Sequence, residues 1–300
     1  MHKPFYTILF ILRLQHDPYD FSTCFLHLPF YVDESHLGFH GENAIPARGQ
    51  EIVFGYLECR LMSGPHIGVS PGEKPHNPFI LISLLNIGVS LSKQELVEYL
   101  VRYGYIKTTA VKNAFLGVPR DNFVLDKTLA WKDTPLPIPC NQTISAPSMI
   151  AIMLEALELV RGDRVLEVGA GSGYNAALIA EIVGQENVVS VERIERLAEF
   201  ARDNLMRCGY EIEIVVGDGT KGYPPRAPYD KIIVTAAAPT IPPPLVEQTR
   251  SGGLIAIPVG SRHFYQDFML ARKIDEGRVE ERNLGGCAFV PLVGEYGWRE

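Results

Sequence analysis

Three glycines at alternate positions, Gly169, Gly171 and Gly173, stand in V-L-E-V-G-A-G-S-G-Y-N, between an apolar run and A-A-L-I-A-E-I-V. Glycine there removes Cβ atoms where a ligand must approach the backbone, and a helix opening near Tyr174 turns unpaired N–H groups toward it. A nucleotide-like ligand is the natural occupant. The dinucleotide fingerprint G-x-G-x-x-G requires glycine where this chain has Tyr174, so NAD is disfavoured. The next apolar run, V-V-S-V, ends in Glu192, whose carboxylate at a strand tip can accept both hydroxyls of a ribose. A third run, E-I-E-I-V-V, ends in Gly217-Asp218-Gly219, which places Asp218 to accept from an adenine amino group and Gly219 beside it. With no pyrophosphate to cradle, three strand ends converging in this way point to S-adenosylmethionine. Each alone has an ordinary structural reading: a glycine triplet is often only a tight βα turn, and Glu192 or Asp218 a helix cap.

The elements that must position these residues alternate. After Glu192 comes the helical E-R-L-A-E-F-A-R-D-N-L, after Asp218 the strand K-I-I-V-T-A-A-A, then a helix over 244–250 and the strand L-I-A-I-P-V-G. This order predicts an α/β fold with a mostly parallel, doubly wound sheet covered by helices on both faces. F-M-L-A-R-K-I, a D-E-G turn and R-V-E-E-R-N predict a C-terminal antiparallel hairpin. Upstream, Ser92 and Glu95 form a capping-box pattern opening a helix with Leu96, Leu100 and Val101 on one face, ended by Gly104. A second helix over 109–116 runs into the turn V-P-R-D-N-F-V. Residues 131–145, with three prolines and no period, predict an extended loop. A helix from 146 to about 160 follows, with Ile150, Met153, Leu154, Leu157 and Val160 on one face, and Ser145 before Pro147 is an ordinary N-cap arrangement.

At 300 residues and 46% apolar content, the chain can bury one large core or two modest ones. A net charge of −7 argues against a nucleic-acid partner that needs a broad basic surface. Five dispersed cysteines without C-x-x-C spacing suit a reduced, cytoplasmic compartment. No apolar run approaches the roughly 20 residues of a membrane span, so no membrane partner is expected. The stretch 5–14 carries Arg13 and lacks a cleavage site, which makes it a poor signal peptide. Residues 1–91 hold seven of the eight histidines and little periodicity; they are set apart from a domain over 92–300 as an unassigned N-terminal extension. That extension can be an accessory subdomain, a poorly ordered segment or sequence translated from upstream of the true start. His36 and His40 have helical metal-pair spacing, but Gly38 lies between them with no acidic helper, so no metal is expected.

The methyl acceptor can be narrowed by class. The N/D-P-P-Y/F loop that holds an exocyclic amine is absent; A-A-A-P-T-I-P stands in its place. Pro139-Cys140 resembles the pair used by cytosine-carbon methyltransferases, but it precedes the cofactor loop, and Cys140 reads as structural. Q-T-I-S-A-P at 142–147, V-L-E-V-G-A-G-S-G-Y, V-V-G-D-G, Y-D-K-I-I-V-T-A-A-A-P and F-V-P-L-V-G together resemble the protein-L-isoaspartate O-methyltransferase family over about 92–298; V-P-R-D-N-F-V and D-T-P-L-P-I fit too. Nothing in residues 1 to about 90 does.

The resemblance implies a class I, Rossmann-like methyltransferase. It would move a methyl group from S-adenosylmethionine to the α-carboxylate of L-isoaspartyl residues in damaged proteins and peptides, and the ester then collapses to a succinimide. A carboxylate is already ionised at neutral pH, so such an enzyme needs alignment and donors rather than a general base. By the Q-T-I-S motif, Ser145 corresponds to the family's active-site serine, and Thr143 and Ile144 line the cofactor pocket. Ser148 stands where some relatives carry histidine, so no contact is expected from that position. Glu167, just before the loop, is placed to anchor the loop or a methionine moiety, while Val293 and Trp298 read as packing residues. The expected state is a monomer acting on isoaspartyl proteins. The rivals are the same cofactor fold acting on a small molecule or RNA, and a binding module without turnover.

Overall fold

In the computed structural model, which describes residues 6–17, 20–30, 91–262, 265–275 and 277–299, the chain divides into two units, Met1–Lys74 and Pro75–Glu300. The described part of the first is a hairpin, β1 (Tyr6–Asp17) paired antiparallel with β2 (Asp20–Phe30). The pair His36 and His40 lies outside the described residues.

The second unit opens with α1 (Lys93–Arg102). Its capping box forms as the sequence predicts: Ser92 Oγ accepts from the Glu95 N–H, and the Glu95 carboxylate accepts from the Ser92 N–H at 2.8 Å. Leu96, Val97 and Leu100 are buried, whereas Val101, expected on that face, lies one helical step beyond Leu100 at the exposed edge. Helix α2 (Thr109–Gly117), capped by Thr108, buries Val111, Ala114 and Phe115.

The segment 131–145 is not the featureless loop its prolines suggest. It contains a ribbon, β3 (Leu136–Ile138) against β4 (Gln142–Ile144), with Leu136 opposite Ile144. Cys140 and Asn141 adopt left-handed φ values of 62° and 56°, the backbone of a tight hairpin turn, and Leu136, Ile138 and Ile144 face inward. Helix α3 (Pro147–Ala156) is shorter than its apolar pattern implies. Leu157 is still buried, but Glu158 turns left-handed and Val160 is exposed. Nor does Ser145 cap this helix: Ala146 holds the cap position without a side-chain bond, and Asp133 Oδ1 accepts from the Ser148 N–H at 2.8 Å instead.

The rest of the chain winds β5 (Val165–Val168), α4 (Tyr174–Val183), β6 (Val188–Glu192), α5 (Glu195–Arg207), β7 (Glu213–Val216), β8 (Tyr229–Val234), α6 (Pro243–Gln248), β9 (Thr249–Gly260), β10 (Gln266–Asp275) and β11 (Arg278–Cys287). The sheet order is β11-β10-β9-β8-β5-β6-β7, with β5 to β9 parallel and the last two strands antiparallel. Strand alternation divides the core. Val165, Val188, Ile233 and Leu254 pack with α1 to α5, while Leu166, Val189, Ile232 and Ile255 pack with α6 on the other face. The chain leaves β5 in one direction along the sheet and returns through β8 on its other side, so a crevice opens at the carboxyl ends of these strands.

Gly173 caps α4 at φ 86°, and a Cβ there would lie 3.0 Å from Leu205 Cγ and 3.1 Å from the Ala201 carbonyl oxygen. Gly173→Ala should therefore destabilise the fold by about 1–3 kcal/mol, read as a lower urea midpoint with an unchanged slope.

Candidate active site

At the end of β5, Gly169 turns with φ 97°, and a Cβ there would collide with Thr235 Oγ1. The loop is fixed from three sides. The Gly169 N–H donates to the Val191 carbonyl at 2.8 Å, the Thr235 hydroxyl donates to the Gly169 carbonyl at 2.7 Å, and the Gly171 N–H donates to Glu192 Oε2 at 3.1 Å. The other carboxylate oxygen of Glu192 accepts from the Ile194 N–H at 3.1 Å. Gly169, Gly171, Glu192 and Gly219 line one cleft, and a Cβ on Gly219 would press into the Val168 side chain. A cleft lined by the glycine-loop backbone, Gly219 and the Glu192 carboxylate fits the nucleoside portion of S-adenosylmethionine.

Two predicted carboxylates carry protein hydrogen bonds next to this cleft, Asp218 beside its lining residue Gly219 and Glu167 buried beneath it. Asp218 accepts from Thr220 N–H at 2.9 Å, Thr220 Oγ1 at 2.6 Å and, across the fold, Glu295 N–H at 2.8 Å. Glu167 is fully buried; it accepts from Asn175 Nδ2 at 2.7 Å and from the Ser190 hydroxyl, tying the start of α4 to β5 and β6. Burial pushes its carboxyl up to about 7, against the opposing effect of those two bonds.

A second space, a cavity of about 460 Å³, is lined by Ser145, Thr143, Thr235, Arg262, Gln266 and the apolar Met149 and Phe289 among others. Thr143, Thr235, Val290 and Pro291 line both spaces, so the two adjoin. Strand alternation sends Thr143 toward them and Ile144, expected to line the cofactor pocket, into the core opposite Leu136. The Ser145 carbonyl accepts from Arg120 Nη2 at 2.9 Å. Arg120 is itself fully buried, donates from Nε to the Ala130 carbonyl at 3.0 Å and stacks 4.9 Å from the Tyr174 ring centre. Burial lowers its pKa to about 10, which leaves it charged at neutral pH.

The C-terminal segment walls both spaces. The Ala237 N–H donates to the Val290 carbonyl and the Leu292 N–H to the Ala237 carbonyl, each at 2.8 Å, and Trp298 Nε1 donates to that same Ala237 oxygen at 3.0 Å. The Gln266 side-chain oxygen accepts from the Phe289 N–H at 2.8 Å. Sequence reasoning missed Arg120, Thr235, Arg262, Gln266 and the stretch 288–292 as site residues. The available signals were the strand-end T-A-A-A, the F-V-P-L-V-G motif, and the position of Arg262 and Gln266 just beyond the P-V-G that ends β9. Among the described residues no cluster of three or more His, Cys, Asp or Glu is placed to hold a metal ion.

Glu167 gives the site a pH signature. Its carboxyl is raised from 4.5 in the folded protein, so the folded state holds the extra proton between about 4.5 and 7 and loses stability as pH rises through that window. Glu167→Gln, neutral throughout, should abolish this loss, on the order of 3 kcal/mol at most, in urea melts compared between pH 5 and pH 8.

Known proteins share this sequence pattern and fold. The family model described as protein-L-isoaspartate(D-aspartate) O-methyltransferase (PCMT) matches residues 91–297. A protein-L-isoaspartate O-methyltransferase of Thermococcus sibiricus is 58% identical over 210 residues, covering 68% of this chain and 95% of the relative; one of Pyrococcus abyssi is 56% identical over 207 residues, with coverage of 68% and 95%. Among solved structures, a protein-L-isoaspartate O-methyltransferase aligns with a TM-score of 0.63 at 32% identity, covering 69% of this chain and 67% of the other. A Plasmodium falciparum protein assigned the same activity, in complex with S-adenosyl-L-homocysteine, aligns with a TM-score of 0.61 at 28% identity, covering 68% of this chain and 99% of its own. With the match running from the capped helix α1 to the C-terminal wall of the site, the chain belongs to the protein-L-isoaspartate(D-aspartate) O-methyltransferase family.

Proposed function

We propose that this methyltransferase holds S-adenosylmethionine against Gly169, Gly171, Gly219 and Glu192, and receives the α-carboxylate of an L-isoaspartyl residue in the cavity beside Ser145. One observation supports this reading above the others: Thr143 and Thr235 line both spaces, so donor and acceptor would meet across a shared wall. The bound cofactor supplies an electrophilic methyl group on a positively charged sulfur.

The chain's own residues supply position and dryness. The Ser145 hydroxyl is not committed to capping α3, which leaves it available to donate to the acceptor carboxylate. Arg120 fixes the peptide on which Ser145 stands, and Met149, Phe289 and Pro291 keep the cavity wall apolar, so the carboxylate sheds water before it reacts. Glu192 takes the ribose hydroxyls. Asp218, beside Gly219, takes the adenine amino group and also holds the tail, while Glu167, Gly173 and Ile144 support the site from behind: Glu167 and Gly173 hold α4, and Ile144 anchors the ribbon that presents Thr143.

We also assign residues 92–300 to the methyltransferase domain and 1–91 to a separate extension, as a monomer acting on isoaspartyl proteins in the cytoplasm, with no nucleic-acid or membrane partner. The start of the family match at residue 91 supports the boundary. The net charge of −7 and five dispersed cysteines support the setting, and among the described residues no helix is long and apolar enough to cross a membrane.

Transfer of labelled methyl to matched peptides is the direct test. The L-isoaspartyl peptide should accept it as a base-labile ester and the L-aspartyl peptide should not. Ser145→Ala should lower kcat by about ten- to a hundredfold, as expected for one lost hydrogen bond to an anion, with S-adenosylmethionine affinity within twofold. Unchanged turnover in that variant would remove Ser145 from the mechanism. A shortened chain starting at Leu91 should keep full activity and melting temperature; loss of either would make the first segment part of the working enzyme.

A further inference from the structure

The acceptor cavity is lined by one positive charge that has an unmet buried hydrogen-bond donor. Of the polar groups lining it, the Gln266 amide is committed to the tail, with Nε2 donating to the Ser261 and Phe289 carbonyls at 3.0 and 3.3 Å. Thr235 is committed to the glycine loop. No acidic residue lines the space, and Arg262 is its single cation among the described residues. The Arg262 Nε is buried and has no hydrogen-bond partner.

A buried guanidinium nitrogen without a partner is costly, and the group that satisfies it best is a carboxylate, whose two oxygens match the guanidinium fork. The substrate brings one. A neutral hydroxyl from Ser145 orients an anion but does not offset its charge in a cavity whose other walls are largely apolar; a guanidinium does both.

We infer that Arg262 pairs with the α-carboxylate of the isoaspartyl residue and makes the cavity selective for an anionic acceptor. This rests on the placement of the acceptor beside Ser145. The reaction removes the charge that Arg262 recognises. As one carboxylate oxygen gains the methyl group and the methyl–sulfur bond breaks, the sulfur's positive charge and the carboxylate's negative charge both vanish. The neutral ester no longer pairs with the guanidinium, and Arg262 thereby favours substrate over product.

The test is a binding measurement on the full chain saturated with S-adenosylhomocysteine, using a labelled L-isoaspartyl peptide and the same peptide with an α-carboxamide in place of the α-carboxylate. Wild type should bind the carboxylate peptide at least tenfold more tightly. Arg262→Gln should reduce that preference below twofold while leaving the amide peptide's Kd, and that of S-adenosylhomocysteine, within twofold. Arg262→Met, which keeps the aliphatic stem, should give the same loss, and Arg262→Lys, which keeps charge without the fork, an intermediate preference. A full preference surviving in Arg262→Gln or Arg262→Met overturns the role of Arg262 alone. No preference in the wild type overturns it together with the placement of the acceptor.

Discussion

Where β5 ends, the backbone of Gly169 passes so close to the Thr235 side chain that no Cβ fits between them, and the rest of the site is referred to that contact. The Thr235 N–H extends the ladder by donating to the Val168 carbonyl at 2.9 Å, while its hydroxyl holds the carbonyl of Gly169. The two central strands therefore finish together at the point where the chain departs in opposite directions along the sheet, the place at which an open α/β sheet leaves a crevice. Two residues further on, Ala237 uses both its N–H and its carbonyl to bind the C-terminal segment. One short stretch of chain thus shapes the cofactor loop, the boundary between the two spaces and their outer wall.

Buried polar groups around this point fall into two kinds, those matched to protein partners and those with an atom left unmatched, as at Arg262 Nε. Glu167, Asn204 and Gln266 have protein partners that hold elements together: Asn204 Nδ2 donates to the Ser172 carbonyl at 2.9 Å, so α5 also supports the glycine loop. Such groups are stable only while every partner is in place, which makes the scaffold stiff and the geometry of the loop unique. Arg120 spans both kinds. Two of its nitrogens are matched to carbonyls and its face to Tyr174, while Nη1 has no partner. Its charge is retained inside the protein because the surrounding carbonyls and ring recover part of the lost hydration.

The order of strands and helices was legible because a parallel sheet buries both faces of its strands. Val165, Leu166 and Val168, and then Val188, Val189 and Val191, had to form apolar runs, each broken by a single buried polar residue, Glu167 or Ser190. The glycine loop and Glu192 were legible for the same reason, being punctuation at the ends of those runs. The β3–β4 ribbon was hidden because three residues of alternation interrupted by proline carry almost no periodic signal, and its turn depends on left-handed backbone at Cys140 and Asn141. One partner of Asp218 was hidden because it is Glu295, far along the chain, and Gly294 must lack a Cβ for the approach to occur. Spacing locates a strand-end carboxylate; it does not say which of its neighbours reaches that carboxylate first. The same limit applies to the wall over 288–292, whose residues look like packing until the Ala237 bonds bring them to the mouth of the crevice.

Ser145 illustrates what tertiary structure adds to a motif. A serine just before a proline-started helix would ordinarily give its side-chain oxygen to the helix N–H groups. Here the cap position has moved one residue to Ala146, and the N–H of Ser148 is met by Asp133 from the preceding turn, so the hydroxyl is released from a structural task. Release alone would leave the residue loose, and the alignment demanded by methyl transfer does not tolerate that. The constraint comes instead through the main chain: Arg120 grips the Ser145 carbonyl, and the same guanidinium lies against Tyr174, the first residue of the helix that follows the glycine loop. The proposed acceptor side and the proposed cofactor side are therefore registered to each other through one buried cation, while the side chain proposed to touch the substrate has no structural task of its own.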